Sequence, residues 1–318
     1  MNIPLQIYPH KSSHFIKSYT SENIYEYSKL MTGWEMELNQ YAEGKFRGEL
    51  KIIEDHDFQI VYDKSNISLQ KNAYSRHDLI VTLPLNQNFD RDKFYCQGNR
   101  FENLGVLIAQ GRYLPELVVP QNAEIITIGL SYNHIERYIE NSASVSRMTS
   151  AILPRLDQKL LNELSQLMNT ELLMQKQSKD ELNRLKDIAI DLLSQTFDQQ
   201  KNYFIQSHIK KQIVDQAKDF MCSQSESVPS IIEVCQQLGV SRRKLQYCFQ
   251  EVLGINPNQY FKIIRLNQVY RCLSQGVASV QDVAYQWGFW HLGHFSADYK
   301  KLFGELPSTT LAYAKLLC

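Results

Sequence analysis

Signals for a membrane-bound or secreted protein are missing from this 318-residue chain. No apolar run approaches the roughly 18 to 20 residues that a membrane span needs, and Met1–Pro4 lacks the basic-then-apolar order of a signal peptide. The six cysteines contain no C-x-x-C pair, and most lie at apolar helix positions. That distribution favours reduced, buried thiols over a redox sensor. We therefore expect a cytoplasmic protein with no membrane partner.

Signatures of catalysis are also missing. The serine elbow G-x-S-x-G and the glycine-rich phosphate loops do not occur. Metal-binding barrels bring histidines together, commonly as H-x-H with a carboxylate, because several ligands must converge on one ion. The amino-terminal histidines are instead scattered, at His10, His14, His56, His77 and His134. We expect a protein that is not an enzyme and has no catalytic residue, metal or cofactor.

Charge is balanced over the whole chain but divided unevenly along it. The chain has 34 basic and 34 acidic residues, and from Ile205 onward it has 12 Lys and Arg against 8 Asp and Glu. A mildly basic carboxyl part and a mildly acidic amino part fit a DNA binder joined to a separate module. The length also exceeds that of one ordinary core, which indicates two domains.

The last third of the chain contains the same pattern twice, over residues 229–257 and 279–307. Equivalent residues are 49 positions apart up to the turn, as Gly239 and Gly288 are, and 50 positions apart after it. The second turn therefore contains one extra residue. Repetition over this length predicts two units of the same build.

Each copy contains the residues that begin and end helices. A serine followed by an acid three residues later caps a helix N-terminus, and a glycine ends a helix at a sharp turn. The predicted boundary residues are Ser230 with Glu233, Ser279 with Asp282, the helix-ending Gly239 and Gly288, and the caps Ser241 and His291. Pro257 is expected to begin a long helix, to about Leu273, that rigidly joins two helix-turn-helix units at 230–252 and 279–303.

The second helix of the first copy has the composition of a major-groove recognition helix. Its apolar residues recur at helical spacing and are expected to face the core: Leu245, Cys248, Phe249 and Val252. Arginine can bond guanine O6 and N7 with two hydrogen bonds, and glutamine can do so with adenine N6 and N7. The outward residues are expected to read bases: Arg242, Arg243, Gln246 and Tyr247. Solvated surface charge and a helical bundle that only packs remain the alternatives.

These tandem units resemble the DNA-binding domain of AraC/XylS-type transcriptional regulators. The motifs that carry the resemblance are Asp282-Val283-Ala284, Gly288-Phe289, Phe295, Tyr299-Lys300 and Phe303-Gly304-x-x-Pro307. The resemblance covers about the last third of the chain. It implies a sequence-specific DNA-binding regulator, an activator, that binds promoter or operator DNA. RNA polymerase is then an expected partner, and a homodimer and a small-molecule effector are compatible with it.

The second unit differs from the first at the outward positions of its recognition helix. Matched by the offset of 50, these positions are Leu292, Gly293, Ser296 and Ala297, which mostly lack groups that bond base edges. We expect the first unit to carry most base readout and the second to position the protein on DNA. The second-unit contacts are expected from Leu292, His294, Ser296, Ala297, Lys300 and Lys301. The aromatic residues Trp287, Phe289 and Trp290 favour core and turn packing over base stacking.

The amino-terminal part alternates in the manner of strands. Short runs rich in β-branched residues are separated by Asn, Asp, Gly and Pro, and they predict strands near 34–38, 46–53, 58–62, 79–83, 105–108, 116–119 and 124–129. Seven such strands predict a small barrel or sandwich. The resemblance implies a cupin-like barrel, and Gly44-x-Phe46-x-Gly48-x-Leu50 is similar to the ethanolamine-utilisation subgroup. Ligand-binding residues remain unknown.

The expected fold class is therefore α+β with two domains. Residues 1–150 would form the cupin-like β-barrel or sandwich with helices, and residues 207–318 the all-α DNA-binding domain. Leucine stripes in residues 151–206 indicate helices, which either dimerise, as the resemblance implies, or pack on the barrel, and residues 195–206 are expected to form the linker. Further helices are expected at 22–31, at 132–140 and, as the first helix of the DNA-binding domain, at 209–221. The alternative functions are an architectural DNA-binding protein without effector, or an enzyme fused to a DNA-binding module.

Overall fold

The computed structural model describes most of the two predicted domains. The described residues are 16–55, 58–85, 93–100, 106–110, 113–131, 151–153, 203–204, 209–223, 229–276 and 278–317, with single helical positions between 159 and 191. Two antiparallel sheets precede a set of packed helices, so the predicted α+β class is confirmed. Within these residues no helix is long and apolar enough to cross a membrane. The helix predicted at 132–140 lies outside the described residues.

The larger sheet has eight strands and is antiparallel throughout. Numbered along the chain and given in spatial order, its strands are β1 (Ile16–Ser21), β3 (Gly48–Asp55), β4 (Phe58–Ser65), β11 (Glu124–Leu130), β6 (Leu79–Pro84), β9 (Val106–Gln110), β12 (Ala151–Leu153) and β13 (Tyr203–Phe204). β12 and β13 lie inside the range predicted to be helical or linker. The domain boundaries themselves stay a prediction.

The smaller sheet has five strands and is antiparallel too. In spatial order they are β2 (Trp34–Gln40), β5 (Leu69–Ser75), β10 (Leu117–Val119), β7 (Tyr95–Cys96) and β8 (Asn99–Arg100). A short helix, α1 (Ile24–Tyr27), lies between β1 and β2, where a longer one was predicted. Two facing antiparallel sheets agree with a barrel or sandwich, and the cupin-like assignment stays a prediction.

A buried ion pair joins the two sheets. Lys71 of β5 pairs with Asp63 of β4, and the Tyr27 hydroxyl donates to the same carboxylate at 2.8 Å. Burial raises the pKa of Tyr27 well above its usual value, and the charge of Asp63 raises it further. The phenol therefore stays a hydrogen-bond donor. A buried carboxylate needs such partners because an unpaired charge in the interior is costly.

Seven further helices follow within the described residues. They are α2 (Ile209–Ser223), α3 (Ile231–Leu238), α4 (Arg242–Leu253), α5 (Pro257–Ser274), α6 (Val280–Gln286), α7 (Leu292–Phe303) and α8 (Pro307–Leu317). The pairs α3–α4 and α6–α7 are the two predicted helix-turn-helix units. The long joining helix is confirmed as α5, which begins at Pro257 behind the N-cap Asn256.

The long helix α5 is also the platform on which the amino-terminal domain sits. Asn267 lies buried in α5, where its Oδ1 accepts from the Gln40 backbone N–H at 2.8 Å and its Nδ2 donates to the Gln40 carbonyl at 3.1 Å. One turn on, Arg271 donates to the Leu38 carbonyl at 2.8 Å and to Asn39 Oδ1 at 2.7 Å. The helix thus supplies hydrogen-bond partners to backbone groups at the end of strand β2, as a neighbouring strand would.

The hydrophobic cores of the two domains are continuous. One cluster joins Trp34 and Leu38 to Leu266 and Phe295, and another joins Tyr95 to residues of the first helix-turn-helix unit. Both units therefore share buried surface with the sheet domain. This contact is extensive enough to set their relative position.

A second buried ion pair crosses the domain contact, between Lys218 of α2 and Glu116. Burial alone would raise the pKa of Glu116, but the charge of Lys218, helped by Lys211, lowers it below the usual value. The pair therefore stabilises the fold at neutral pH. This contribution is lost as the pH falls through the lowered pKa of Glu116.

Substituting Glu116→Gln should leave the buried Lys218 ammonium with only the partly exposed Asp215 carboxylate, 3.8 Å away, as a counter-charge. We expect the free energy of unfolding to fall by about 3–5 kcal/mol, since breaking one half of a buried pair strands the other. Urea unfolding followed by circular dichroism measures it. The matched control is Glu22→Gln, whose pair with Lys45 is exposed and is worth about 0–1 kcal/mol. Equal effects of the two substitutions would contradict the argument.

Candidate DNA interface

The first unit has the local geometry that its boundary residues predict. The Ser230 hydroxyl accepts from the Glu233 N–H at 3.3 Å, and the Glu233 carboxylate accepts from the Ser230 N–H at 2.7 Å. Gly239 then ends α3 with a φ of 63°, a left-handed conformation that favours glycine. Ser241 caps α4 by accepting from the Lys244 N–H at 3.1 Å. The turn is thus held at both ends.

The recognition helix α4 is buried on one face and exposed on the other. The predicted core residues Leu245, Cys248, Phe249 and Val252 are all buried. The predicted base-reading residues Arg242, Arg243, Gln246 and Tyr247 are all exposed. The structure therefore brings these four side chains together on one open face, beside the exposed Lys244.

One residue of this face is held by a lysine that sequence reasoning did not single out. Lys210 of α2 donates to the Tyr247 hydroxyl at 3.1 Å, and its Nζ lies 4.6 Å from the centre of the tyrosine ring. Lys210 thus adds positive charge next to α4. Only its basic character inside a predicted helix could have pointed to it, because the contact is set by the packing of α2 on α4.

Hydrogen bonds locate the extra residue of the second unit. The Val240 N–H donates to the Cys235 carbonyl in the first turn, and the Phe289 N–H donates to the Ala284 carbonyl in the second. These pairs are 49 positions apart, so the two turns are equivalent through Phe289. The inserted residue is therefore Trp290.

The recognition helix α7 of the second unit also has one buried and one exposed face. Of its predicted contacts, His294, Ala297, Lys300 and Lys301 are exposed, and Leu292 and Ser296 are half-buried. His291 occupies the N-cap position, but its side chain makes no capping hydrogen bond, so the prediction that it caps the helix is wrong. Imidazole is a poorer N-cap than the serine at the equivalent position of the first unit.

The three aromatic residues of the second turn divide into two groups. Trp287 and Phe289 pack against the core, as expected. Trp290 is 69% exposed, so the expectation of core packing is wrong for this residue, although its ring does stack on Tyr285 of α6. Its status as an insertion explains the difference, because the turn closes without it.

The carboxyl end of α7 is held by the amino-terminal domain. The Leu302 carbonyl accepts from the Gly44 N–H at 3.0 Å and from the Gln40 side-chain amide. Lys301 forms an ion pair with Glu43 at 2.9 Å, and the hydrogen bond to Glu43 raises the pKa of this lysine. The free carbonyls of a helix end need such donors. The segment between β2 and β3 therefore caps the second recognition helix.

Equivalent glycines of the two units contact the same domain. Gly254 and Gly304 end α4 and α7 with φ values of 68° and 72°. A Cβ on Gly304 would lie 2.8 Å from the Lys45 backbone nitrogen, and a Cβ on Gly254 would lie 3.0 Å from the Tyr95 hydroxyl. Close approach and left-handed backbone both favour glycine here. The sheet domain thus contacts each recognition helix at its carboxyl end.

Histidine and acidic side chains do not gather into a metal site within the described ranges. What the exposed faces offer instead is hydrogen-bond donors and positive charge. Arginine and lysine on two helices of this kind can contact bases and phosphates.

Comparison with known proteins agrees with this geometry. A family of helix-turn-helix domains matches residues 234–313. The probable thc operon regulatory protein of Rhodococcus erythropolis is 36% identical over 105 residues, which are 31% of this chain and 31% of that protein. The XylDLEGF operon transcriptional activator 2 of Pseudomonas putida is 36% identical over 92 residues, 28% of this chain and 59% of that activator. The chain thus spans less than two thirds of either relative.

Two solved structures are similar as well. A probable AraC family transcriptional regulator from Rhodopseudomonas palustris is 31% identical and covers 32% of this chain and 97% of its own, with a TM-score of 0.30. The AraC-like transcriptional activator CuxR is 15% identical and covers 80% of this chain and 95% of its own, with a TM-score of 0.37.

The family match covers α4 and α7, the helices whose exposed faces are described above. Residues 234–313 of this protein are therefore similar to a family of helix-turn-helix domains.

Proposed function

We propose that this protein is a sequence-specific DNA-binding transcription regulator, an activator, whose amino-terminal domain senses an effector or forms a dimer. The exposed face of α4 carries the proposal, because it presents Arg242, Arg243, Gln246 and Tyr247 on a helix anchored by a buried opposite face. RNA polymerase is its expected partner at a promoter, and the cytoplasm its expected location. The two relatives from Rhodococcus erythropolis and Pseudomonas putida are themselves described as an operon regulatory protein and an operon transcriptional activator.

The rigid connection between the units determines how they would meet DNA. Helix α5 packs against both units and against the sheet domain, so one protein molecule presents α4 and α7 in a fixed relation. Two such helices enter successive major grooves on one face of the duplex, roughly 34 Å apart, and any shorter spacing would require the DNA to bend. One molecule would then cover about two helical turns.

Selection from a randomised duplex pool, followed by binding assays, tests the proposal. A sequence-specific regulator should bind the selected DNA about a thousandfold or more tightly than random DNA. A ratio near one would contradict it and favour an architectural protein.

A cleft between the two domains offers a place for an effector. It has a volume of about 430 Å³, within the range of small-molecule sites. Its lining includes Tyr41 and Glu43 from the sheet domain, Lys262 from α5, and Asp298 and Lys301 from α7. By comparison, the pocket between the two sheets holds about 30 Å³, enough for one water. A small molecule in the cleft would change the partners of Lys301. It would thereby change how much positive charge α7 presents to DNA.

Two substitutions separate base reading from backbone contact. Arg243→Ala should cost about 1–3 kcal/mol of binding free energy and relax sequence preference at one base pair, because arginine reads a base edge. Lys301→Ala should weaken binding to all sequences alike. It should also reduce the slope of log affinity against log salt concentration by about one, the amount expected for one lost phosphate contact. Binding measured over a randomised site distinguishes the two patterns. Lys64→Ala, in strand β4, is the control that should change neither. We expect α4 to read most of the bases. This expectation would be contradicted if the part of the DNA site bound by α7 were as specific in sequence as the part bound by α4.

Glu43→Gln tests the link between the domains. Glu43 neutralises Lys301, so its removal should raise affinity for DNA of any sequence and steepen the salt dependence. Binding is measured by fluorescence anisotropy across a salt series. The matched control is Glu22→Gln, which releases Lys45 of the same loop but no residue of a recognition helix. An unchanged salt dependence in Glu43→Gln would show that Lys301 contacts no phosphate.

A further inference from the structure

Trp290 is the one residue of the second turn that has no equivalent in the first. Its side chain is 69% exposed, whereas the neighbouring Phe289 packs on the core. An insertion that leaves a large indole in solvent does not contribute to the core. Single exposed aromatic residues are common on protein surfaces, so exposure alone indicates no function. The evidence for a function comes from the surroundings of Trp290.

The indole is held in one orientation. Its ring stacks on Tyr285 of α6, with centroids 5.7 Å apart and planes 23° from parallel. The Tyr285 hydroxyl in turn accepts from Gln281 Nε2 at 3.3 Å. Among the described residues, the stacking on Tyr285 is the contact recorded for the Trp290 ring, and no hydrogen bond of its indole N–H is found. One ring face is thus packed, and the indole N–H is left as an unused donor.

The position of Trp290 favours a nucleic-acid partner over a protein. It comes two residues before α7, and the amino-terminal end of a recognition helix is the part that approaches the duplex. From residue 286 to residue 297 the sequence contains no acidic residue, and His291 and His294 are both exposed. A segment without carboxylates at that end of the helix is compatible with a polyanion.

We propose that Trp290 is a DNA-contacting residue of the second half-site, the part of the operator bound by α7. The free face of the indole packs on a deoxyribose at the edge of the major groove, and its N–H donates to a phosphate oxygen. The inference deepens the proposed function and rests on it. It also gives the second unit a contact that its short side chains, Gly293 and Ala297, cannot make.

Fluorescence quenching tests the contact directly. Of the three tryptophans, Trp34 is buried and Trp287 is partly buried, so neutral acrylamide should reach mainly Trp290. The wild-type protein and Trp290→Phe are compared, free and saturated with a duplex selected from a randomised pool. The accessible component should be present in the free wild type, absent in Trp290→Phe, and largely lost when DNA binds. A component that stays equally quenchable in the complex would overturn the proposal, although DNA binding itself would stand.

Binding to a shortened duplex gives the second test. Trp290→Ala should bind about fivefold to thirtyfold more weakly to a duplex that contains both half-sites, and normally to a duplex cut back to the first half-site, which leaves no DNA for α7 to contact. The dependence on salt should not change, because the indole carries no charge. Trp290→Phe should recover part of the loss, since it keeps a ring but no donor.

Tyr113→Ala is the matched control for this series. Tyr113 is an exposed aromatic residue of the sheet domain that packs edge-on against Tyr74, and its removal should leave DNA binding unchanged. Wild-type affinity in a folded Trp290→Ala protein would overturn the proposal. A loss of the same size on the duplex cut back to the first half-site would overturn it too.

Discussion

The arrangement of the whole molecule depends on the contact between α5 and the end of strand β2. A helix that joins two DNA-binding units could lie exposed along its length, yet α5 is buried over much of its surface, including the polar Asn267. A buried amide costs free energy unless its hydrogen bonds are made, and those of Asn267 are made by Gln40 and Ile263. A shift of the helix along the strand would break the two bonds to Gln40. The contact therefore sets the orientation of the helix as well as its stability.

That orientation has consequences at both recognition helices. Because α5 is fixed on the sheet domain, the C-terminal turns of α4 and α7 both reach that domain, through Gly254 and Gly304. The two contacts are equivalent within the repeat but differ in kind, since Gly254 meets a tyrosine side chain and Gly304 meets the backbone of Lys45. A side chain can move more easily than a backbone can. A rearrangement of the sheet domain would thus be transmitted more rigidly to the second unit than to the first.

Local features of the fold could be predicted from the sequence because their causes are local. The capping serines, the glycine at the end of α3 and the proline at the start of α5 act within one or two turns of chain. Strands rich in β-branched residues could be predicted from the sequence as well. Strand β5 was missed because Gln70 and Lys71 are polar, and their burial depends on partners in other elements, Tyr260 of α5 for Gln70 and Asp63 of β4 for Lys71. Contacts between residues more than 200 positions apart leave no periodic signal.

The candidate DNA interface could also be predicted only where its features are local in the sequence. The residues of α4 were predicted as a set because helical spacing separates its buried face from its exposed one. Lys210, which contacts Tyr247, was not predicted, since two helices must pack before the contact exists. The repeat offset shows that the second turn contains one inserted residue, but it does not show that this residue is Trp290. The hydrogen bonds of the two turns supply that information.

The asymmetry of the two units follows from their different neighbours. The exposed face of α4 is free to carry long charged side chains, and Arg242 and Arg243 occupy it. Helix α7 instead has its carboxyl end engaged by Gly44 and Glu43 of the sheet domain. An ion pair there keeps one of its lysines close to a carboxylate, where phosphate would have to compete for it. The second unit, which has the poorer set of side chains proposed to read bases, is therefore the one whose recognition helix the sheet domain holds by an ion pair and by hydrogen bonds near its carboxyl end.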